Sequence, residues 1–256
     1  MLLALEIGNS HVSVGGFDGD ELKFVAPIAT DDRLTGPQIA VTLASLFTLY
    51  GAEARQFQHA VVGSVVPSVT PAIMDALALL CGCEALNVSS GVKTGLNIKV
   101  EQPRLLGSDL VANAAWACQH APLPCVVVDL GTATTFTALD SSGALIGTAI
   151  AAGVQISLEA LRARTAQLTN VLPEAPRHGV LGRNTAEAIK AGAVYGAAAM
   201  VDGMLARYGD ALGQRPHALL TGGAAELVQP FLHTPVQAVP HLTLRGLQLI
   251  WQRNRS

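Results

Sequence analysis

The apolar and polar positions of residues 125–147 predict a β-meander that begins with a strand ending on an acid. Val126–Val128 is an uninterrupted apolar run, typical of a strand buried on both faces, and it stops at Asp129. Because burial of an unpaired carboxylate is costly, we expect Asp129 at a strand end, facing a cleft. Residues 134–139 alternate loosely and reach a Ser-Ser-Gly turn at 141–143, which indicates a hairpin. The acid is therefore predicted at the base of a Gly-Thr loop.

The same plan occurs near the start of the chain. Residues 2–24 contain an apolar strand, an acid, one apolar residue, a glycine and two small polar residues, then two more strands around a tight turn. Glu6 and Gly8 stand where Asp129 and Gly131 stand in the second copy. Either turn alone is a common feature of β-hairpins. The acid, glycine and hydroxyl residues at matching positions in the two copies, however, favour an internal duplication.

A second pair of segments extends this similarity. Residues 59–77 and 217–232 each run from a short apolar strand through a glycine-bearing loop into a helical pattern. Two prolines interrupt a helical run near residues 116–124, and we place a boundary there. The prediction is two similar α/β halves, residues 1–117 and 118–256. We expect their acid-glycine turns to face each other across a cleft that binds a ligand.

Composition narrows the classes of function. Only 14% of the 256 residues are charged and 50% are apolar, which indicates much hidden surface, and we expect a homodimer to hide part of it. The most apolar stretch, Ala191–Ala206, contains Asp202 and is too short to span a membrane, so it predicts a buried helix. A net charge of −3 argues against a nucleic-acid partner. We expect a cytoplasmic protein, because the N-terminus does not resemble a signal peptide and the four cysteines lack metal-site spacing.

The two glycine turns are suited to binding anions. The sequence contains neither a P-loop motif nor the glycine motif of dinucleotide-binding sites. Tight glycine turns nevertheless leave backbone N–H groups pointing outward. Further donors are the side chains of Asn9, Ser10, Thr132, Thr134 and Thr135. Glu6 and Asp129 would repel phosphate unless a cation lay between them, and hard cations prefer oxygen ligands. Phosphate together with a metal ion indicates phosphoryl transfer.

Residues 95–117 predict a turn followed by a helix. Gly107 ends the turn, Ser108 can cap the helix, and Asp109 then falls in the first helical turn. An acid at that position complements the helix dipole and needs no further role. Asn113, one turn later on the same face, slightly favours a functional role for Asp109. Both interpretations of Asp109 stay open on this evidence.

The full set of motifs resembles the type III pantothenate kinases, a family that includes the Bvg accessory factor-like proteins. In chain order the motifs are GNS at 8–10, GSVVPSVT at 63–70, GVKTGL at 91–96, G-x-D-x-x-x-N at 107–113, DLGTATTF at 129–136, SLEAL at 157–161, GRNT at 182–185 and TGG at 221–223. Their order and spacing extend through nearly the entire chain, so the resemblance is specific.

The resemblance implies a fold, an activity and a set of cofactors. The fold would be the duplicated actin-like, RNase H-like α/β fold that is shared by acetate and sugar kinases, Hsp70 and actin, assembled as a homodimer. The activity would be ATP-dependent phosphorylation of pantothenate to 4′-phosphopantothenate, the first step of coenzyme A biosynthesis. The cofactors would be Mg²⁺ and a monovalent cation, K⁺ or NH₄⁺.

The resemblance also implies roles for individual residues. The loop from Glu6 to Ser13, with Gly8, Asn9 and Ser10, would surround the ATP phosphates, and Thr132 would contact ATP. Asp129 would coordinate the monovalent cation and Glu6 would also lie at the metal site. Asp109 would accept the proton of the substrate hydroxyl. The residues implied for the pantothenate pocket are Val100, Gly107, Ser108, Asp109, Leu110 and Thr185.

The sequence departs from the family pattern on the substrate side. Glu6 replaces an aspartate, Leu110 an arginine and Val100 a tyrosine; Thr137 and Ala152 also differ from the usual residues. A lost charge-assisted contact from the arginine would be worth roughly 1.5–3 kcal/mol. Two hypotheses follow: a working pantothenate kinase, and a catalytically impaired homologue that acts as a binding or regulatory protein. A sugar or acetate-type kinase of the same fold is a third, which the motif set argues against.

Overall fold

The computed structural model describes residues 1–165 and 171–255, which form two compact units. Unit 1 contains residues 1–95, residues 102–116 and the residues from Thr243 onward. Unit 2 contains residues 96–101 and 117–242. One crossing between the units, after Trp116, lies beside the boundary that the prolines predicted. The sequence-based division placed residues 96–101 in the first half and the last helix in the second half. In the structure, residues 96–101 belong to unit 2 and the last helix belongs to unit 1, because the chain passes between the units more than once.

Unit 1 is built on a five-stranded sheet. Its strands are β1 (Leu2–Ile7), β2 (His11–Asp18), β3 (Glu21–Ala29), β4 (His59–Ser64) and β5 (Ala85–Asn87). Their order is β3-β2-β1-β4-β5; β1, β2 and β3 are antiparallel neighbours, whereas β4 and β5 run parallel to β1. The predicted strand–turn–strand pattern of residues 2–24 is thus a meander with β1 at the centre of the sheet.

Unit 2 repeats this topology strand for strand. Its strands are β6 (Cys125–Leu130), β7 (Ala133–Leu139), β8 (Leu145–Ala152), β9 (His217–Thr221) and β10 (Gln237–Ala238). Their order is β8-β7-β6-β9-β10, again with an antiparallel meander followed by two strands parallel to the first. The predicted duplication and the predicted hairpin after Asp129 are confirmed.

Helices connect and cover the sheets. They are α1 (Gly36–Leu49), α2 (Thr70–Cys81), α3 (Ser108–His120), α4 (Val154–Arg164), α5 (Thr185–Leu212), α6 (Ala225–Val228) and α7 (Leu242–Asn254). The predicted helix after residue 217 is the short α6, and the apolar stretch 191–206 lies inside α5. Within the described residues, none of the helices has the length and apolar character needed to cross a membrane.

Strand alternation decides which face each acid occupies. In β1, the side chains of Leu3, Leu5 and Ile7 belong to a buried cluster that also contains residues of α1 and α2. Because successive side chains point to opposite faces, Glu6 lies on the other face of the unit 1 sheet. In β6, Val126, Val128 and Leu130 belong to the cluster that contains residues of α4 and α5, so Asp129 occupies the corresponding position in unit 2.

Candidate functional site

The turn between β1 and β2 is held from the end of β3. Gly8 N donates to His11 O at 3.0 Å, Thr30 Oγ1 donates to Gly8 O at 2.6 Å, and Thr30 N donates to Ser10 O at 3.1 Å. Asn9 and Ser10 are exposed. The main chain of the turn is therefore fixed while two polar side chains lie at the surface.

Glu6 lies beside the start of α3 on the face of the unit 1 sheet that α3 and α7 cover. It is half-buried, and it pairs with Ser13 of β2 and with Gly63 of β4. A Cβ built on Gly63 would lie 2.7 Å from Leu247 Cδ2 of α7 and 3.2 Å from Ser108 Oγ of α3. The absence of a side chain at residue 63 therefore lets α3 begin close to the strand that neighbours Glu6.

Asp109 lies in the first turn of α3 and is packed against Gly107. Gly107 O accepts from Val111 N at 3.2 Å, so Gly107 occupies the cap position that the sequence assigned to Ser108. A Cβ on Gly107 would overlap Asp109 Oδ1, so a residue with a side chain there would have to displace that carboxylate. Within the described residues, Asp109 Oδ1 is buried and has no hydrogen-bond partner.

The environment of Asp109 favours its protonated form more than water does. Desolvation by burial raises the pKa of Asp109, and the backbone N–H groups of Leu110 and Asp109 offset part of that increase. The N-terminus of α3 supplies a positive dipole end that makes the anion tolerable. A desolvated carboxylate with an unpartnered oxygen is suited to accepting a proton.

Two further α3 residues that the sequence singled out are buried in unit 1. Leu110 is 5% exposed, so the side chain at the position of the family arginine is apolar and enclosed. Asn113 is 1% exposed, and its Oδ1 accepts from Thr243 Oγ1 of α7 at 3.0 Å. Asn113 thus joins α3 to α7, and Thr243 is a partner that the local sequence pattern did not indicate.

Asp129 of unit 2 lies among backbone atoms. A Cβ built on Gly222 would come within 2.5 Å of Asp129 Oδ1 and of the Leu130 main chain, and one on Gly131 within 3.4 Å of the same oxygen. Gly222 has φ +98°, in the region that favours glycine. Ala224 N donates to Leu130 O at 3.0 Å, which holds the loop after β9 against the end of β6.

The turn between β6 and β7 is fixed by the start of α4. Gly153 N donates to Thr132 O at 3.2 Å, and a Cβ on Gly153 would collide with the carbonyl oxygens of Gly131 and Thr132. Thr132 is half-buried. Thr134 Oγ1 is fully buried and has no hydrogen-bond partner among the described residues. Because Thr134 pairs with Leu130, its hydroxyl lies on the core face of the unit 2 sheet, whereas Asp129 lies on the other face.

The remaining predicted pocket residues belong to unit 2. Val100 is half-buried in the segment 96–101, which lies along β8: Lys99 N donates to Leu145 O at 2.8 Å and Leu145 N to Asn97 O at 2.9 Å. Thr185 is exposed and is the first residue of α5. Gly107, Ser108, Asp109 and Leu110 are thus consecutive residues of unit 1, whereas Val100 and Thr185 belong to unit 2.

Two residues gained importance only from the structure. Gly222 belongs to the TGG motif at 221–223. Its close approach to Asp129 was not visible from the sequence, because the two residues are distant along the chain. Glu187 is buried near the start of α5, and its backbone N–H donates to the N-cap Asn184 Oδ1 at 2.9 Å. The spacing Asn184-x-x-Glu187 is a capping-box pattern, which could have drawn attention to Glu187.

The donor chemistry of the acids suits hard cations. Glu6 and Asp129 present carboxylate oxygens, and the carbonyl oxygens of Gly131 and Thr132 lie in the turn that follows β6. Among the residues that the structure describes, no group of three or more His, Cys, Asp or Glu side chains gathers in one place. Mg²⁺ is commonly held by one or two carboxylates together with substrate phosphates, so a single acid is an adequate protein ligand.

Comparisons with known proteins decide the family. The model of the type III pantothenate kinase family matches residues 2–207. A type III pantothenate kinase from Brevibacillus brevis is 40% identical over 256 residues and aligns over the whole of both chains. The chain belongs to the type III pantothenate kinase family. Another relative of the same name, from Moorella thermoacetica, is 36% identical to this family member over 255 residues, covering 99% of this chain and 100% of its own.

Solved structures agree with the fold of this pantothenate kinase family member. Component A of the (R)-2-hydroxyglutaryl-CoA dehydratase from Acidaminococcus fermentans matches with a TM-score of 0.58 at 13% identity, covering 99% of each chain. At that identity the likeness concerns the fold alone. Together with the repeated five-stranded sheets, it confirms the predicted duplicated actin-like fold, and the predicted family resemblance is also confirmed.

Proposed function

We propose that this chain transfers the γ-phosphoryl group of ATP to the primary hydroxyl of pantothenate, which yields 4′-phosphopantothenate and begins coenzyme A biosynthesis. Family membership over residues 2–207 and full-length relatives named type III pantothenate kinase support this activity. The observation that carries it is Asp109, whose buried Oδ1 has no partner among the described residues and lies at a helix N-terminus. These comparisons do not favour the non-catalytic alternative.

Asp109 is the proposed general base. As the hydroxyl oxygen of pantothenate bonds to the γ-phosphorus, the bond from that phosphorus to the β–γ bridging oxygen breaks and ADP leaves. The hydroxyl proton passes to Asp109 Oδ1. The raised pKa of Asp109 brings the carboxylate closer in basicity to the working pH, which makes it a better acceptor than an ordinary exposed acid. Positioning and charge neutralisation supply most of the remaining rate.

The proposed nucleotide contacts come from the two turns. Gly8, Asn9 and Ser10 would receive ATP phosphates, because the hydrogen bonds of the turn leave both of its polar side chains at the surface. Thr132, at the corresponding turn of unit 2, would also contact ATP. That the two turns face each other across a cleft stays a prediction.

The proposed cations follow the donor chemistry of the two acids. Glu6 would hold Mg²⁺ together with phosphate oxygens, and Asp129, with the carbonyl oxygens near it, would hold the monovalent cation, K⁺ or NH₄⁺. These ions would neutralise charge on the phosphate oxygens as it develops. Gly222 keeps its backbone close to Asp129, and a larger residue would fill the space beside the carboxylate.

The proposed pantothenate contacts are Val100, Gly107, Ser108, Leu110 and Thr185, in addition to Asp109. Leu110 and Val100 are apolar, so they would line the substrate through contact with its carbon atoms rather than bind its carboxylate. We therefore expect weaker recognition of the carboxylate than an arginine at residue 110 would give. Introducing Leu110→Arg would test this, although Leu110 is enclosed and the longer side chain would have to displace its neighbours.

Self-association and location are also part of the proposal. Leu172, Val180 and Leu181 are 65%, 62% and 76% exposed, an unusual concentration of large apolar side chains within one short stretch of unit 2. A homodimer would cover such a surface. A cytoplasmic location, and the absence of nucleic-acid and membrane partners, stay predictions from composition.

A product assay tests the activity directly. The purified chain is incubated with pantothenate, ATP, Mg²⁺ and K⁺, and the product is identified by mass spectrometry; separate reactions leave out each component. We expect a product heavier than pantothenate by one phosphoryl group, formed only when ATP is present. A matched reaction with pantothenate blocked at its primary hydroxyl should give none. Absence of product under all cation conditions would contradict the proposed kinase activity.

A further inference from the structure

The segment 174–184, which leads to Thr185, is held to α5 mainly by polar contacts. Most of its side chains are exposed, and Pro176 is its buried residue. Val180 and Leu181 lie at the surface rather than in the core. With little apolar burial to order the segment, its conformation depends on the hydrogen bonds and ion pairs that it makes with α5.

Glu187 makes the central contact. Its Oε2 accepts from Arg177 N at 2.7 Å, although the Glu187 side chain is only 10% exposed. At this position in a helix, three residues after the N-cap, a glutamate ordinarily turns back to the N–H of its own N-cap residue. Here the carboxylate instead reaches a backbone N–H ten residues earlier in the chain. Its burial would be costly without that partner.

Two neighbouring features support the same attachment. Lys190, one turn later on α5, lies 2.7 Å from Glu174 at the start of the segment and 3.9 Å from Glu187. A Cβ on Gly182 would collide with the main chain of Glu187 and Ala188, so the end of the segment lies directly on the first turn of α5. The two ends of the segment are thus joined to the first two turns of α5, which begins at Thr185.

We propose that Glu187 is a positioning residue for pantothenate binding: its buried carboxylate holds the main chain at Arg177 and thereby fixes the segment 174–184 beside Thr185. This inference rests on the proposed function, in which Thr185 contacts pantothenate. Glu187 touches neither substrate nor cofactor in this proposal. It sets the geometry of the residues that precede Thr185, so its loss affects pantothenate binding more than ATP binding.

The test compares three variants of the full chain. Glu187→Ala removes the acceptor, and Glu187→Gln keeps an acceptor oxygen without the charge. Glu226→Ala is the matched control, since it removes an exposed acid from the first turn of another helix of unit 2. Hydrogen exchange at Arg177 N reports the attachment itself, and steady-state kinetics report the KM of each substrate and kcat. Thermal unfolding shows whether each variant is folded.

For Glu187→Ala we expect faster exchange at Arg177 N and a rise of about tenfold in the KM for pantothenate, because a hydrogen bond to a charged group is lost. The KM for ATP and kcat should stay within about twofold of the parent values. Glu187→Gln should recover most of the pantothenate KM, and Glu226→Ala should match the parent chain. Should Glu187→Ala fail to fold, Glu174→Ala replaces it and is expected to raise the same KM by about threefold, because an exposed ion pair contributes less.

Each alternative result is informative. Faster exchange at Arg177 N with an unchanged pantothenate KM would overturn the positioning role. Equal increases in both KM values, or no rescue by glutamine despite a folded protein, would also overturn it. If the parent chain forms no 4′-phosphopantothenate, the proposed function fails and the substrate part of this inference fails with it. The exchange measurement would still show, independently, whether Glu187 holds the segment.

Discussion

The two units form the same sheet but surround their central acids differently. In unit 1, Glu6 pairs with Gly63, and the loop after β4 is held by a side chain: Val66 N donates to Ser64 Oγ at 3.0 Å. In unit 2, Asp129 pairs with Thr221, and the loop after β9 brings the backbone of Gly222 against the carboxylate. The duplicated scaffold therefore presents one acid beside a helix N-terminus and the other beside main-chain atoms.

This difference explains how a duplicated fold can support one reaction. Unit 1 carries a second carboxylate, Asp109, where Gly63 lets α3 approach the sheet. Unit 2 carries a close loop with φ +98° at Gly222. A desolvated acid with an unpartnered oxygen suits proton transfer, whereas carboxylate and carbonyl oxygens held together suit a cation. The common topology supplies the positions, and the loops supply different chemistry.

The largest expected effect comes from removing Asp109, the second carboxylate of unit 1. Asp109→Asn should lower kcat by about 10²- to 10⁴-fold, because a general base is lost. It should not lower stability at neutral pH. Burial raises the pKa of Asp109, so the folded parent chain is destabilised when this acid is ionised. That destabilisation disappears as the pH falls through the raised pKa of the folded chain towards the pKa of Asp109 in the unfolded chain.

Thermal unfolding at several pH values checks this sign. The Tm of Asp109→Asn should equal or exceed that of the parent chain at pH 7, and the gap should shrink in acid. Asp75→Asn, at an exposed position on α2, is the control for a surface change in the same unit. Retention of parental kcat in Asp109→Asn would remove Asp109 from the proposed mechanism.

Exchanging each central acid for its amide should separate the two cation roles. Glu6→Gln should raise the Mg²⁺ concentration for half-maximal activity by about tenfold or more, and Asp129→Asn should do the same for K⁺, since each loses a charged ligand. Activity titrated against each cation, with the other saturating, measures both. If both variants needed more of the same cation, and neither needed more of the other, the assignment of Mg²⁺ to Glu6 and K⁺ to Asp129 would be wrong.

The loop that distinguishes unit 2 can be tested by adding one methyl group. Gly222→Ala places a Cβ within 2.5 Å of Asp129 Oδ1 and requires a residue with a side chain to adopt φ +98°. Strain of this kind costs about 1–3 kcal/mol, so the free energy of unfolding should fall by that amount and K⁺ activation should weaken.

Gly223→Ala is a closely matched control. The adjacent glycine has no atom within 4 Å of a built Cβ and is exposed, so the same chemical change should leave the K⁺ response near that of the parent chain. Equal loss of K⁺ response in both variants would point to general loop disturbance instead of crowding of Asp129.

The smallest expected effect concerns the hairpin turns, where the units also differ. In unit 2, Ser142 Oγ donates to Asp140, and the N–H groups of Ser142 and Ala144 add to it, which lowers the pKa of Asp140 to about 2. Because the folded pKa is depressed, the stabilisation is present above about pH 4 and is lost as pH falls towards about 2. Asp140→Asn should lower Tm slightly at pH 7 and hardly at all at pH 2.

The corresponding turn of unit 1 supplies the comparison for that small effect. It is a tighter turn with Gly19 at φ +58°, so it depends on glycine more than on an acid. Asp18→Asn there should change Tm less than Asp140→Asn does at pH 7. Equal pH profiles for the two variants would show that the Asp140 interactions do not stabilise the hairpin.

Local patterns predicted much of this molecule. The apolar run Val126–Val128 that ends on Asp129, the alternation of residues 134–139 and the turn at 141–143 were sufficient to predict the β-meander, because these signals are local. The acid-glycine repeat predicted the duplication, and motif order predicted the family. The cap at Gly107 was missed, since the sequence favours Ser108 there and the packing of Asp109 against residue 107 is visible only in the structure.

The sequence by itself determined the meanders, the acids at strand ends and the helix that carries Asp109, because these depend on short-range periodicity and the cost of burying charge. Only the tertiary structure decided that Asp109 is desolvated, that Gly222 lies against Asp129, and that Glu187 reaches Arg177 instead of its own helix cap. Those properties depend on which distant segments exclude water from a group or approach it closely, and no local pattern specifies such neighbours.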